Sequence, residues 1–144
     1  MLAGSPWNGA DAIYDAIREA DVRDEILLPG FVADSLLPDL YSACDLFVFP
    51  SLFEGFGIPL VEAMRCGTPI CAANISSIPE VVGDAAILFD PYDVEDITRA
   101  MERGLTDRST RETLIARGLA RAERFTWERT ANDVLDICME AAGA

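Results

Sequence analysis

Histidine and lysine are both missing from this chain: among its 144 residues the 11 basic side chains are all arginine. That excludes Ser-His-Asp and Cys-His nucleophile pairs, histidine-ligated metal sites, Schiff-base lysines and the P-loop lysine. Cysteine is scarce too, confined to Cys44, Cys66, Cys71 and Cys138 with no C-x-x-C pair, and this spacing fits no all-cysteine zinc site. The four read as reduced thiols of a cytoplasmic protein, each a small buried hydrophobe rather than a reagent. No basic segment leading into an apolar run opens the sequence, and nothing approaches the roughly eighteen consecutive apolar residues of a membrane span. Positive charge is short overall: 25 acidic residues leave a net charge of −14. Nucleic acid and anionic membrane surfaces are polyanions that such a chain does not attract, so neither is expected as a partner.

What is present is apolar and periodic. At 51% hydrophobic residues the chain can bury one sizeable core, which predicts a single globular domain over residues 1–144. Met1 to Ala3 reads as the end of a strand before the turn Gly4-Ser5-Pro6. Ala12, Ile13, Ala16, Ile17 and Ala20 recur at helical spacing, which predicts a helix over about Ala10 to Ala20. Glu25 to Leu28 reads as a short strand closed by Pro29-Gly30, and Leu36, Leu37, Leu40, Tyr41 and Cys44 mark a second helix. Leu46-Phe47-Val48-Phe49 is a continuous apolar run ended by Pro50, the pattern of a strand covered on both faces. A helix over Pro59 to Cys66, a strand over Pro69 to Ala72, a helical turn at Ile78 to Val82 and a strand at Ala86 to Phe89 follow. Beyond Asp90-Pro91 three apolar stripes predict three helices: Val94, Ile97, Met101 and Leu105; Leu114, Ile115, Leu119 and Ala122; Ala131, Val134, Leu135, Cys138 and Ala142. Strands alternating with helices imply an α/β fold with a doubly wound, mainly parallel sheet. The acids are uneven, 9 against 2 arginines from Gly9 to Asp45 and 11 against 8 from Asp93 onward. Both stretches read as solvated helix surface, the second also suited to docking on another domain.

Ligands of such a sheet bind beyond the carboxyl ends of its strands. Three loops qualify, at Gly30-Phe31-Val32, Pro50 to Ile58 and Ala72 to Ser77, and only the middle one is chemically loaded. There Glu54-Gly55-Phe56-Gly57-Ile58-Pro59 runs into a helix that carries Glu62. Glycines let the backbone approach a ligand closely, and the helix start offers unpaired N–H groups with about half a unit of positive charge, a seat for phosphate oxygens. A carboxylate stands on either side of that seat, as a sugar diphosphate with its anionic middle and hydroxyl-rich ends would require. Singly, each feature has an ordinary explanation: Gly55-Phe56-Gly57 as turn punctuation, Glu62 as a complement to the helix dipole, Glu54 as a solvated acid. A dinucleotide fingerprint fails because Leu60 holds the third glycine position, and Ser51 has no base to activate it.

Together these residues resemble the donor half of the family-4 glycosyltransferases, retaining enzymes of the GT-B type built from two Rossmann-like domains. The resemblance rests on Gly30-Phe31-Val32, Leu40-Tyr41-Ser42-Ala43-Cys44-Asp45, Phe49-Pro50-Ser51, Glu54 through Pro59 and Glu62-Ala63-Met64. It continues through Cys66-Gly67-Thr68-Pro69, Ser76-Ser77-Ile78-Pro79-Glu80, Val81 through Ala86, Asp90-Pro91 and Phe125-Thr126-Trp127. It implies a Rossmann-like C-terminal domain that lacks its first strand and helix and carries extra helices at its end. It also implies transfer of a mannose- or glucose-type hexose from a UDP- or GDP-sugar to an acceptor hydroxyl, without a cofactor or an obligatory metal. Glu54 is then the catalytic residue, accepting hydrogen bonds from the sugar hydroxyls near the anomeric centre, and Glu62 holds the ribose. The backbone of Gly55, Phe56, Gly57, Ile58 and Leu60 would line sugar and diphosphate, with Phe31 and Val32 bordering the base.

The chain departs from the family in one respect. Those enzymes clamp the diphosphate with a basic pair that falls upstream of Met1, and Arg18, Arg23 and Arg65, the only bases before Arg99, do not match it. The acceptor domain lies upstream as well. Single contacts to a departing group are worth roughly 3–4 kcal/mol, so the isolated chain is expected to be inactive or weakly active. The competing expectation is a non-catalytic nucleotide-sugar-binding or interaction module that pairs with a separate acceptor-domain chain; a sugar-nucleotide epimerase fits less well for want of histidine. A sheet edge left open by an absent strand would also favour self-association.

Overall fold

The computed structural model describes residues 1–5 and 9–143, so Pro6 of the predicted Gly4-Ser5-Pro6 turn lies outside the described residues. The chain divides into two compact units, Met1–Leu37 and Pro38–Ala144.

In the first unit, α1 (Ala10–Glu19) follows Gly9 and ends at Ala20, and a single 3-10 turn covers Arg23–Glu25. The predicted strand at Glu25 to Leu28 does not form. Met1 to Ala3 is reduced likewise, to one isolated parallel bridge between Ala3 and Gly30. Backbone bonds from Leu2 N to Leu27 O and from Gly4 N to Gly30 O lay the two segments side by side over too few residues for a ladder. Nor does α1 bury its apolar stripe: Ile13 is exposed and the helix has no buried residue.

The second unit holds the layers. The first unit closes with a 3-10 turn at Asp34–Leu36, and α2 (Leu37–Ala43) leads into the second, followed by β1 (Phe47–Phe49), α3 (Ile58–Arg65), β2 (Ile70–Ala73), α4 (Ile78–Val82) and β3 (Ile87–Phe89). The helices α5 (Val94–Thr106), α6 (Arg108–Ala122) and α7 (Trp127–Ala142) complete it. Among the described residues the sheet has three parallel strands in the order β1-β2-β3, with Phe47 opposite Ile70 and Cys71 opposite Ile87. That order runs one way, so right-handed crossovers set α3 and α4 on one face. The other face is closed by α5: the Cys71 thiol donates to Ala100 O at 3.2 Å, and a Cβ on Gly104 would come within 2.8 Å of Leu46. β2, central and covered on both sides, is buried at all four positions. The predicted double coverage of Leu46 to Phe49 is not realised, because β1 is an edge strand and its three residues are half-buried.

Phe89, Leu60, Met64, Ile70, Ile78 and Val82 are fully buried and form the heart of this unit. Gly118 of α6 lets that helix lie close on α3, where a Cβ would meet Met64 Cγ at 3.3 Å. Arg121 then fastens α6 to the end of α4 by donating to the carbonyls of Glu80 and Val81. Three side chains cap helix starts by accepting backbone N–H groups: Asp93 for α5, Asp107 for α6 and Thr126 for α7. The Thr110 hydroxyl first, then the Thr110 N–H and the Ser109 hydroxyl, hold the Asp107 carboxyl down, to about 2. The third predicted stripe, on α7, has the right period and the wrong environment. Val134 and Leu135 are exposed, no residue of that helix is buried, and Cys138, expected inside, is exposed as well.

Candidate functional site

The site elements all belong to the second unit and collect where parallel strands end. The segment after β1, Pro50 to Gly57, rises past the sheet and turns into α3 at Gly57, whose φ of 94° is a left-handed value that a side chain would strain. A Cβ there would also stand 3.0 Å from Leu60 Cδ1. Glycine therefore lets the chain enter the helix directly over its own first turn. No side chain caps α3 at this end, and Pro59 stands in its first turn without an N–H to offer. Of the N–H groups here, Leu60's closes back on Gly57 O, while those of Gly55, Phe56, Gly57 and Ile58 have no hydrogen-bond partner among the described residues and lie at the positive end of the helix dipole.

Glu54 precedes the tip and Glu62 follows it, and both are half-buried. Among the described residues neither carboxylate is paired with an arginine. Arg65, at the end of α3, donates instead to Phe125 O at 2.7 Å. Glu62 accepts a hydrogen bond from the Tyr41 hydroxyl at 3.2 Å. Tyr41 is buried beneath it, with Phe47 edge-on to its ring at 5.2 Å. Burial first, and then the Glu62 carboxylate, push the Tyr41 phenol well above its ordinary 10.0, so it stays a donor.

Glu54 is held differently. Its N–H donates to Ser76 Oγ at 3.3 Å, and its carbonyl accepts from Ser76 Oγ at 2.9 Å and from Ser77 Oγ at 3.0 Å. Both serines lie in the loop after β2. The expectation that only the middle loop carries chemistry is thus incomplete, since the neighbouring loop fixes its backbone. Two adjacent serines in the loop after a buried strand, at the carboxyl end of the sheet, were the signal.

The other expected site residues are distributed unevenly. Gly55 is exposed, as are Ile58 and Phe56; the Phe56 ring meets Phe125 in a T-shaped contact at 5.5 Å. Leu60 lies in the core, and its N–H is spent on Gly57 O at 3.0 Å. Phe31 and Val32 belong to the first unit, where Phe31 is exposed and Val32 half-buried. A separate groove of about 460 Å³, lined by Asp84, Arg103, Thr110 and Arg117, shares no residue with the β1–α3 loop. Among the described residues no cluster of three or more acids and cysteines could hold a metal ion. Burial pushes the Cys71 thiol up to about 11, against a smaller pull from Arg103, so at neutral pH it is a core side chain.

The second unit is a parallel α/β layer in which the tip of α3, at the carboxyl end of β1, stands between two carboxylates that no arginine among the described residues pairs. Such an arrangement is chemically suited to an anionic, hydroxyl-rich ligand. Comparison with known proteins makes the class particular. Residues 1–121 match the family model of the glycosyl transferases group 1, and the chain belongs to that family. It is 42% identical over 136 residues to O-antigen chain mannosyltransferase B of Escherichia coli, covering 94% of this chain and 36% of that protein. In structure it is similar to sucrose-phosphate synthase from Thermosynechococcus elongatus, with a TM-score of 0.86 at 28% identity over 99% of this chain and 38% of the other. It is similar also to Anabaena Alr3699/HepE in complex with UDP and glucose, with a TM-score of 0.83 at 26% identity over 97% of this chain and 40% of that one. The fold is that of the C-terminal, Rossmann-like half of GT-B glycosyltransferases. The chain spans little more than a third of the length of O-antigen chain mannosyltransferase B. No helix among the described residues is long and apolar enough to cross a membrane.

Proposed function

We propose that this chain is the donor-binding part of a retaining, family-4-type hexosyltransferase of the cytoplasm, and that its crevice holds a UDP- or GDP-hexose. The observation that carries the reading is the α3 tip, entered through Gly57 at a φ of 94° and flanked by Glu54 and Glu62, neither of them paired with a base. The similarity to a mannosyltransferase and to a structure holding UDP and glucose supports the same ligand class.

The assignment of roles follows from charge. The diphosphate sits on the outward N–H groups between Gly55 and Ile58, where the helix dipole favours negative charge without a lysine. Leu60 forms the floor beneath Gly57. Glu62, kept in place by Tyr41, accepts from the two ribose hydroxyls, a geometry suited to an ionised carboxylate. Glu54 accepts from the sugar hydroxyls on the other flank. As the bond between the anomeric carbon and the diphosphate breaks, negative charge grows on the phosphate oxygen and positive charge on the sugar. The helix tip stabilises the first and Glu54 the second. The acceptor hydroxyl attacks from the face the leaving group vacates, and the departing phosphate oxygen takes its proton, which retains the configuration. Glu54 stabilises charge in this scheme and does not attack.

An acceptor domain, in the same polypeptide or a partner chain, completes the enzyme, and the 144 residues alone transfer little sugar. Calorimetric titration of the chain with UDP-, GDP- and ADP-sugars tests the reading. Heat with at least one donor, with weaker binding of that donor in Glu54→Ala and in Glu62→Ala, is the expected result. No heat with any donor, even after addition of an acceptor domain, would overturn it.

A further inference from the structure

The loop that carries Glu54 could have been an ordinary mobile connection, and three observations say that it is not. First, both backbone groups of Glu54 are bonded to the neighbouring loop, with the Ser76 hydroxyl accepting from its N–H and donating to its carbonyl. Second, Ser76 reaches that position only by adopting a φ of 57°, the one left-handed value of a non-glycine residue among the described residues. Backbone strain of this kind persists where the surroundings hold it in place. Third, Ser77 occupies the N-cap of α4 and yet makes no cap bond with its side chain. A serine at that position ordinarily accepts from the first turn of its own helix. Here its hydroxyl is turned across the crevice to Glu54 O at 3.0 Å, with a longer approach to Phe56 O at 3.4 Å. One serine takes a strained backbone and the other forgoes its helix, and both spend their hydroxyls on the same residue.

We propose that Ser76 and Ser77 are positioning residues for the transferred sugar: they lock the backbone of Glu54 so that its carboxylate reaches the sugar, leaving nucleotide binding to the helix tip and Glu62. The inference rests on the function proposed above and deepens it. With N–H and C=O both fixed, only the side-chain torsions of Glu54 remain free, and recognition of the sugar becomes separable from recognition of the nucleoside diphosphate.

The separation is testable because one variant removes the hydroxyl while relieving the strain. Ser76→Gly suits the positive φ and is expected to melt no lower than the parent chain. Calorimetry with the pairs UDP-glucose and UDP, and GDP-mannose and GDP, gives the affinity ratio of sugar nucleotide to nucleotide. In Ser76→Gly combined with Ser77→Ala that ratio is expected to fall at least fivefold for the pair that binds, while the nucleotide alone keeps its affinity within twofold. Ser76→Asn, which tolerates the backbone and restores a donor and an acceptor, should recover most of the ratio. Hydrogen exchange at the Glu54 amide should quicken in Ser76→Gly and not in Ser77→Ala, whose hydroxyl bonds only carbonyls. Heat in the parent with an unchanged ratio in the double variant would overturn this inference alone; no heat with these or any other donor, even after addition of an acceptor domain, would overturn the function proposed above and this inference with it.

Discussion

Glu54 and Glu62 flank one helix tip eight positions apart in sequence, yet one is fixed through its backbone and the other through its side chain. Glu62 needs no help with its main chain, because α3 supplies that, and its carboxylate is steadied by Tyr41 from below. Glu54 stands in a loop with no ladder of its own, so its main chain is tied to Ser76 and Ser77 and its carboxylate is left unpaired. The contrast separates a carboxylate held ready in one place from one whose mounting is rigid and whose side chain can still turn. The first arrangement suits a ribose, whose two hydroxyls sit in fixed relation. The second suits a reacting sugar.

The contrast is broken most severely at the residue both carboxylates depend on. Gly57→Ala places a side chain at a φ of 94° and against Leu60. It is expected to lower unfolding free energy by about 2–4 kcal/mol, read from a denaturant midpoint. An unchanged midpoint would mean that the tip accommodates other geometries. Next in size, Glu62→Ala removes charge-assisted bonds worth ~1.5–3 kcal/mol. UDP or GDP should then bind roughly ten- to a hundredfold more weakly, whereas Glu54→Ala should leave the nucleotide alone unaffected and weaken only its sugar conjugate. Equal losses in both variants would erase the distinction between the two acids.

Smaller again is Tyr41→Phe, which deletes one hydrogen bond and keeps the ring in its place against Phe47. A loss of about 1 kcal/mol in nucleotide binding, or roughly fivefold, is expected by titration. The smallest effect is spectroscopic. The Tyr41 pKa is raised in the folded chain, so its contribution to stability is complete below the unfolded value near 10.0 and fades as pH climbs above it. Ultraviolet titration should show Tyr41 still un-ionised at pH values above the ordinary phenol value of 10.0. Glu62→Gln should bring its ionisation down only part of the way, because burial is the larger cause and remains.

Much of this architecture was legible in residue patterns. The helices α1 to α5 were readable within a residue or two because period, proline and glycine agreed at their ends, as in α3 with Pro59 inside its start and Gly67 beyond its end. The stripes of α6 and α7, from Leu114 and Ala131, missed the first turns at Arg108 and Trp127. Glu54, Gly57 and Glu62 were legible for the same reason, as marks around one helix start. The failures share a physical origin, since a pattern says which face is apolar and not what covers it. α6 and α7 are nearly equal in length and both capped, yet α6 buries Leu114, Gly118 and Ala122 while α7 buries nothing. The segment at Glu25 to Leu28 has strand-like residues and only an isolated bridge beside it. Ser76, Ser77 and Tyr41 were quoted as parts of a motif without a role, because bonds across 21 to 23 residues cannot be read from local spacing.

Everything in the functional account depends on both acids facing one nucleotide sugar. A crystal structure of the chain grown with UDP-glucose or GDP-mannose tests this most directly. The account predicts ribose hydroxyls within hydrogen-bond distance of the Glu62 carboxylate, phosphate oxygens on the N–H groups at Gly57, and sugar hydroxyls at Glu54. A nucleotide bound elsewhere, or bound here with either carboxylate turned away from it, would contradict the account.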